Sequence, residues 1–115
     1  MACEVEFTDE FELWWNSLTP DEQDSVDFSV HLLEEFGIHL KRPHADTVRG
    51  SKFGNMRELR CQHQGRPYRI LYAFDPRRMA MLLIGGDKTS YRTWYEEFVP
   101  EADKIYAQHL KEIKE

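Results

Sequence analysis

The stretch Met56–Arg78, MRELRCQHQGRPYRILYAFDPRR, decides how this chain folds. It divides into two runs of alternating character, near 56–62 and 67–75, joined by His63–Arg66. A third run, MAMLLIG at 79–85, follows after only Pro76–Arg78. Strands joined by so few residues are antiparallel neighbours, because a parallel return needs a crossover of a dozen residues or more. The same stretch holds six arginines against two acids, Glu58 and Asp75, in a chain whose formal net charge is -6.

Side chains alternate across a strand. Tyr68, Ile70, Tyr72 and Phe74 therefore share one face of the second strand, apolar enough to pack on helices, while Arg69, Leu71, Ala73 and Asp75 take the other. In the first strand Leu59 and Cys61 are the core residues, which turns Glu58 and Arg60 the opposite way. Two separate parity arguments thus put Glu58, Arg60 and Arg69 on one face. The third strand is apolar on both faces, as a covered central strand is. The expectation is a sheet with a helix-packed side and a charged side.

Outward from the hairpin, residues 4–7 (EVEF) alternate and read as a short strand. Thr8 can cap a helix whose first turn holds Asp9 and Glu10, and Phe11, Trp14, Trp15 and Leu18 form its buried stripe. Thr19-Pro20-Asp21-Glu22 is a capping box with proline at the first helical position. Val26, Val30, Leu33 and Phe36 then trace an apolar face, and Gly37 stops the helix. Residues 38–55, punctuated by Pro43, Gly50 and Gly54, read as loop. From Ser90 the chain is helical, with Pro100 dividing a short helix that holds Trp94 and Tyr95 from a final amphipathic one burying Ile105, Tyr106 and Leu110. The fold class is α+β, a single domain over 1–115: a mainly antiparallel sheet with an N-terminal helix pair on one face and C-terminal helices.

A hydrophobic fraction of 41% supports a core and argues against disorder. No apolar run reaches the roughly 18 residues a membrane span requires, and the N-terminus is acidic where a secretory signal begins basic. A cytoplasmic protein with no membrane partner is expected. Cys3 and Cys61 make no disulfide framework, and the five histidines show no metal-ligand spacing. Neither metal nor cofactor is expected. Charge is distributed unevenly. Residues 1–40 carry eleven acids and no lysine or arginine, 41–92 carry twelve basic residues against four acids, and 93–115 carry six acids against three lysines. Either the acidic helices pair with the basic sheet, or a positive concavity attracts a polyanion.

The charged face admits two readings. In one, Glu58 with Arg60 or Arg69 is a cross-strand ion pair closing the hairpin. In the other it performs phosphodiester chemistry on RNA. There Glu58 takes the 2′-hydroxyl proton, the guanidiniums of Arg60 and Arg69 hold non-bridging phosphate oxygens, and Lys88 adds a cation or assists the leaving group. The turn Gly85-Gly86-Asp87-Lys88-Thr89 lacks the spacing of a phosphate loop; it is read as ending the strand and capping the next helix through Thr89 or Ser90. Gly50–Gly54 is a glycine-hinged basic loop, suited either to a nucleic-acid backbone or to ordinary surface. His63 lies at the hairpin bend, an exposed position. Tyr91, Trp94 and Tyr95 are aromatic candidates for base stacking, Trp94 being the one expected in the core.

The order of a helix pair, MRELR, GRPYRILYAFDPRR, LLIGGDKT and a C-terminal helix resembles the RelE/HigB-type toxins of bacterial toxin–antitoxin modules, in particular their phage-derived HigB-like branch. The likeness is dense over 49–100. It implies a RelE-like small α/β sandwich with helices on one side of the sheet, and cleavage of messenger RNA without a metal, commonly on the ribosome. It also implies a cognate antitoxin, often a helix-turn-helix protein. Catalytic roles are implied for Glu58, Arg69 and Lys88, and RNA contacts are expected from Lys52, Arg57, Arg60, Arg78 and Tyr91. Asp87 and Lys88 stand where family members often carry a tyrosine or histidine, and the acidic first forty residues depart from the basic character common among ribosome-entering toxins. Two other readings belong to the same fold: a ParE-like inhibitor of DNA gyrase, and a catalytically silent RNA-binding domain.

Overall fold

In the computed structural model, which describes residues 3–114, the chain runs in chain order through eight elements. These are β1 (Val5–Phe7), α1 (Asp9–Ser17), α2 (Pro20–Phe36), β2 (Ala45–Thr47), β3 (Arg57–His63), β4 (Arg66–Phe74), β5 (Ala80–Asp87) and α3 (Trp94–Ile113), with a 3-10 turn at Gly37–His39. The sheet order is β1-β5-β4-β3-β2. Only β1 is parallel to its neighbour, β5; the other pairs are antiparallel. Gln64 and Gly65 close the β3–β4 hairpin with φ of 50° and 79°, the paired left-handed conformation that suits a two-residue turn to strand twist. No helix among the described residues is long and apolar enough to cross a membrane.

The predicted helix pair lies on one face, α1 over β5 and α2 over β3. Thr8 caps α1 by accepting the Phe11 N–H, and its hydroxyl donates to the Leu83 carbonyl, so one side chain starts the helix and fixes it to the sheet. Glu22 does the same for α2. Its Oε1 accepts the Thr19 N–H at 2.8 Å, completing the capping box, while Oε2 accepts from the Tyr68 hydroxyl and from Arg66. Phe11, Val26 and Leu33 then bury against Leu59, Tyr68, Ile70 and Tyr72, as parity requires.

The opposite face is not simply charged. Leu71, Ala73, Met81 and Leu83 there form a second core with Trp94, Val99, Ala102, Ile105 and Tyr106 of α3. The sheet is covered on both sides, and the expected charged side survives only where α3 begins. Pro100 does not divide α3. It lacks the N–H for one helical bond, but Val99, Ala102 and Ile105 on either side keep one buried face continuous against the sheet.

Four smaller expectations also change. The segment 38–55 contains β2, a three-residue edge strand too short for its alternation to be read. Phe36 is exposed, because Leu33 is the last α2 residue to reach the core before Gly37 turns the chain with φ 56°. Gly85 and Gly86 lie inside β5 rather than in a turn, and Thr93, without a side-chain cap bond, precedes α3. His63 is buried, its Nδ1 paired with the Ser25 hydroxyl at 2.8 Å, since odd positions of β3 face α2.

The Glu22 carboxyl is held down to about 2, first by the Thr19 N–H and then by the Tyr68 hydroxyl. An unfolded glutamate titrates near 4.3. The folded group binds its proton more weakly, so it stabilises above that pH and the contribution vanishes as pH falls toward 2. Glu22→Gln is expected to lower stability by about 1 kcal/mol at neutral pH and to flatten the loss between pH 5 and 2. Urea unfolding across that range checks this; parallel acid curves for both proteins would refute it.

Candidate active site

Arg60 and Arg69 are direct partners in the β3–β4 register. Two guanidiniums so placed repel unless an anion lies between them. Glu58, two residues before Arg60 on the same face, supplies it. Its Oε2 accepts from Arg60 Nε at 3.0 Å, and its Oε1 lies 3.7 Å from Arg69 Nε. Asp46, opposite Glu58 on β2, approaches Arg60 Nη2 at 3.5 Å while pairing mainly with Arg42 at 2.7 Å.

The cluster is roofed. Tyr95, in the first turn of α3, donates its hydroxyl to Glu58 Oε1 at 2.5 Å. The Lys88 ammonium lies 4.8 Å from the centre of the Tyr95 ring, a cation–π distance. Glu58 is 4% exposed and Arg69 9%. Burial, followed by the bond to the Glu58 carboxylate, raises the Tyr95 phenol above its ordinary value. Burial, then repulsion from Arg69, lowers Lys88, with Glu58 opposing. Arg69 donates one N–H to the Tyr68 carbonyl, yet its buried Nε has no hydrogen-bond partner among the described residues. Such an unmet donor is unusual inside a protein, and here it belongs to a fork whose geometry suits phosphate oxygens.

Glu58, Arg60, Arg69 and Lys88 are therefore gathered in one place. Tyr91 stands at its shoulder, its N–H on the Lys88 carbonyl and its hydroxyl on Glu97. The other expected RNA contacts lie elsewhere. Arg57 has odd parity and turns to the helix-pair side, donating to the Tyr72 hydroxyl and the Leu40 carbonyl. Arg78 sits in the β4–β5 turn at the far end of the sheet, with φ 66°. Lys52 is exposed on a loop that Asp103 of α3 pins through the Ser51 hydroxyl and the Lys52 N–H. Tyr95 is the member that residue patterns missed, being read there only as a stacking ring. The two glycines of β5 were the available signal, for the Trp94 ring rests on Gly86 and so sets the first turn of α3 against the sheet.

Residues 13–107 match the family described as Phage derived protein Gp49-like. Two relatives come from Mycobacterium tuberculosis. A candidate toxin named HigB2 is 43% identical over 104 residues, 89% of this chain and 52% of that protein. A second, named HigB3, is 46% identical over 94 residues, 81% of each. This chain thus spans about half the length of the first relative. Among solved structures, a double mutant of the Escherichia coli toxin RelE in the free state superposes with a TM-score of 0.60 at 13% identity, covering 85% of this chain and 96% of that one. A chain of the M. tuberculosis toxin–antitoxin complex RelBE2 gives 0.56 at 18% identity, covering 76% and 99%. At such identities these two structures speak to the fold, which they share with this chain.

Because Arg69 repulsion helps hold Lys88 down and Glu58 opposes it, Arg69→Ala is expected to raise the Lys88 titration and Glu58→Gln to lower it further. Carbon-13 NMR of the lysine side chains reads both shifts. Movement in the same direction in the two variants would contradict the cluster's electrostatics.

Proposed function

This chain belongs to the Gp49-like family of phage-derived, HigB/RelE-type proteins, and on that premise we propose that it is the toxin of a type II toxin–antitoxin module, acting as a metal-independent endoribonuclease on messenger RNA. The observation that carries this reading is the single carboxylate of Glu58 seated between the opposed guanidiniums of Arg60 and Arg69. A purely inhibitory surface has no use for a base among its cations.

The 2′-hydroxyl of a bound ribose is the same kind of donor as the Tyr95 hydroxyl, so it can replace that group at Glu58 Oε1. Glu58 then accepts the 2′-hydroxyl proton as the oxygen attacks phosphorus. Charge gathers on the non-bridging oxygens, where the unmet Arg69 Nε and the Arg60 fork donate to it. Lys88, half-buried at the end of β5, gives a proton to the departing 5′-oxygen. Its lowered pKa makes that release easier than from an ordinary lysine. Arg60, Tyr91 and the exposed Lys52 are assigned to RNA contact. The partners follow from the same reading: messenger RNA, with the ribosome as the place of cleavage, and a neutralising antitoxin of the helix-turn-helix kind, all in the cytoplasm.

One observation favours a silent RNA-binding domain instead. Glu58 is buried with both oxygens already occupied, by Arg60 on one side and Tyr95 on the other. Induced expression with transcriptome-wide mapping of new 5′ ends separates the two. Cleavage by the wild type, falling about 100-fold or more in Arg69→Ala and also lost in the more exposed Arg60→Ala, is expected, with both variants folded by circular dichroism. Intact messages would favour the silent domain, and intact messages with DNA damage a gyrase inhibitor.

A further inference from the structure

Beside the cluster lies a groove of about 440 Å³ between α2 and the outer edge of β3, within the size range of small-ligand sites. Arg60 belongs to both. Its Nε donates to Glu58, and the same residue lines the groove. The edge is open there for a simple reason. β2 pairs with β3 only as far as Leu59, and the His44 carbonyl takes the Arg60 N–H, so Gln62 lies beyond the cover. Phe28 of α2 also lines the groove, and it is 64% exposed. It is a large exposed aromatic in the middle of a helix whose Val26 and Leu33 are buried in the core. Ser25, Asp24 and Gln62 add hydroxyl, carboxylate and amide, and buried His63 holds the Ser25 hydroxyl in place.

We propose that this groove receives a nucleobase of the RNA strand immediately next to the phosphate held by Arg60 and Arg69, with the base stacked on Phe28. The inference rests on the nuclease site proposed above and names how that site chooses where to cut. A free ring with donors and acceptors at its margin is the arrangement by which proteins hold splayed single-stranded bases. Asp24 repels a phosphate but accepts readily from a base amino group, so the base enters and the backbone stays on the arginines. Gln62 reads the base edge through an amide that both donates and accepts. A protein strand is the poorer occupant. The uncovered edge of β3 is only the three residues Cys61–His63, and Asp24 disfavours an acidic peptide.

The test uses a fluorescein-labelled single-stranded RNA hexamer of random sequence, with Phe28→Ala, Phe28→Trp and Gln62→Ala, all exposed positions that leave the core intact. Phe28→Ala is expected to weaken hexamer binding roughly ten-fold, the usual scale for one lost stack, and Phe28→Trp to retain it. In cells, Phe28→Ala and Gln62→Ala should still cut, with relaxed nucleotide preference at one position beside the cut. Wild-type affinity and wild-type preference in both alanine variants would overturn the proposal. So would wild-type RNA binding by Phe28→Ala combined with lost capture by the antitoxin, which would make the groove a protein interface. A wild type that cuts no message while the hexamer results hold would retain the groove and remove the nuclease. A wild type that does not bind the hexamer would remove the groove.

Discussion

Two adjacent glycines in β5 allow helices to approach the sheet from both sides at the same place. A β-carbon on Gly85 would stand 2.3 Å from the Trp14 ring of α1, and one on Gly86 would stand 2.7 Å from the Trp94 indole nitrogen of α3. Successive strand residues face opposite ways, so the pair leaves one flat seat on each face, and a tryptophan occupies each. The Trp94 seat has a consequence for the chemistry. With its ring on Gly86 and stacked on Phe98 at 4.5 Å, α3 begins hard against the sheet, and the next residue, Tyr95, comes down on Glu58.

The charges of the chain divide between structure and site. Glu22 to Arg66 and Glu6 to Arg77 join the acidic N-terminal segments to the basic hairpin, so part of the asymmetry in charge serves to assemble the fold. Arg66 also meets Asp87, and Arg77 meets the buried Asp75, which His109 of α3 contacts at 2.8 Å. These pairs lie around the sheet's margins. Away from those pairs, Arg60, Arg69 and Lys88 gather around Glu58, with Asp46 at the rim: more cation than anion in a half-sealed place. A cluster of that composition has a residual appetite for a polyanion, and the overall negative charge of the protein conceals it.

Much of this was legible in one dimension. The hairpin, the capping box Thr19–Glu22, the Thr8 cap and the three long strands came from turn length, cap chemistry and alternation, all of which are local. The common face of Glu58, Arg60 and Arg69 followed too, since parity depends only on counting along a strand. Departures gather where local rules meet long-range ones. Counting along β3 turns Arg57 toward Tyr72, away from the cluster. Pro100 reads as a break because its missing N–H is local, whereas the buried face that spans it is not.

Which residues could lie on which side of each strand, and where α1 and α2 begin, was already settled along the chain, because pleat and capping are properties of a few neighbouring residues. The start of α3 at Trp94, its roof over half of the charged face, the closure of Tyr95 over Glu58 and the short β2 that leaves a groove open beside Arg60 all came from packing in three dimensions. Those outcomes depend on which distant surfaces pack together. Here the packing was settled by two missing β-carbons in β5 and by the length of an edge strand three residues long.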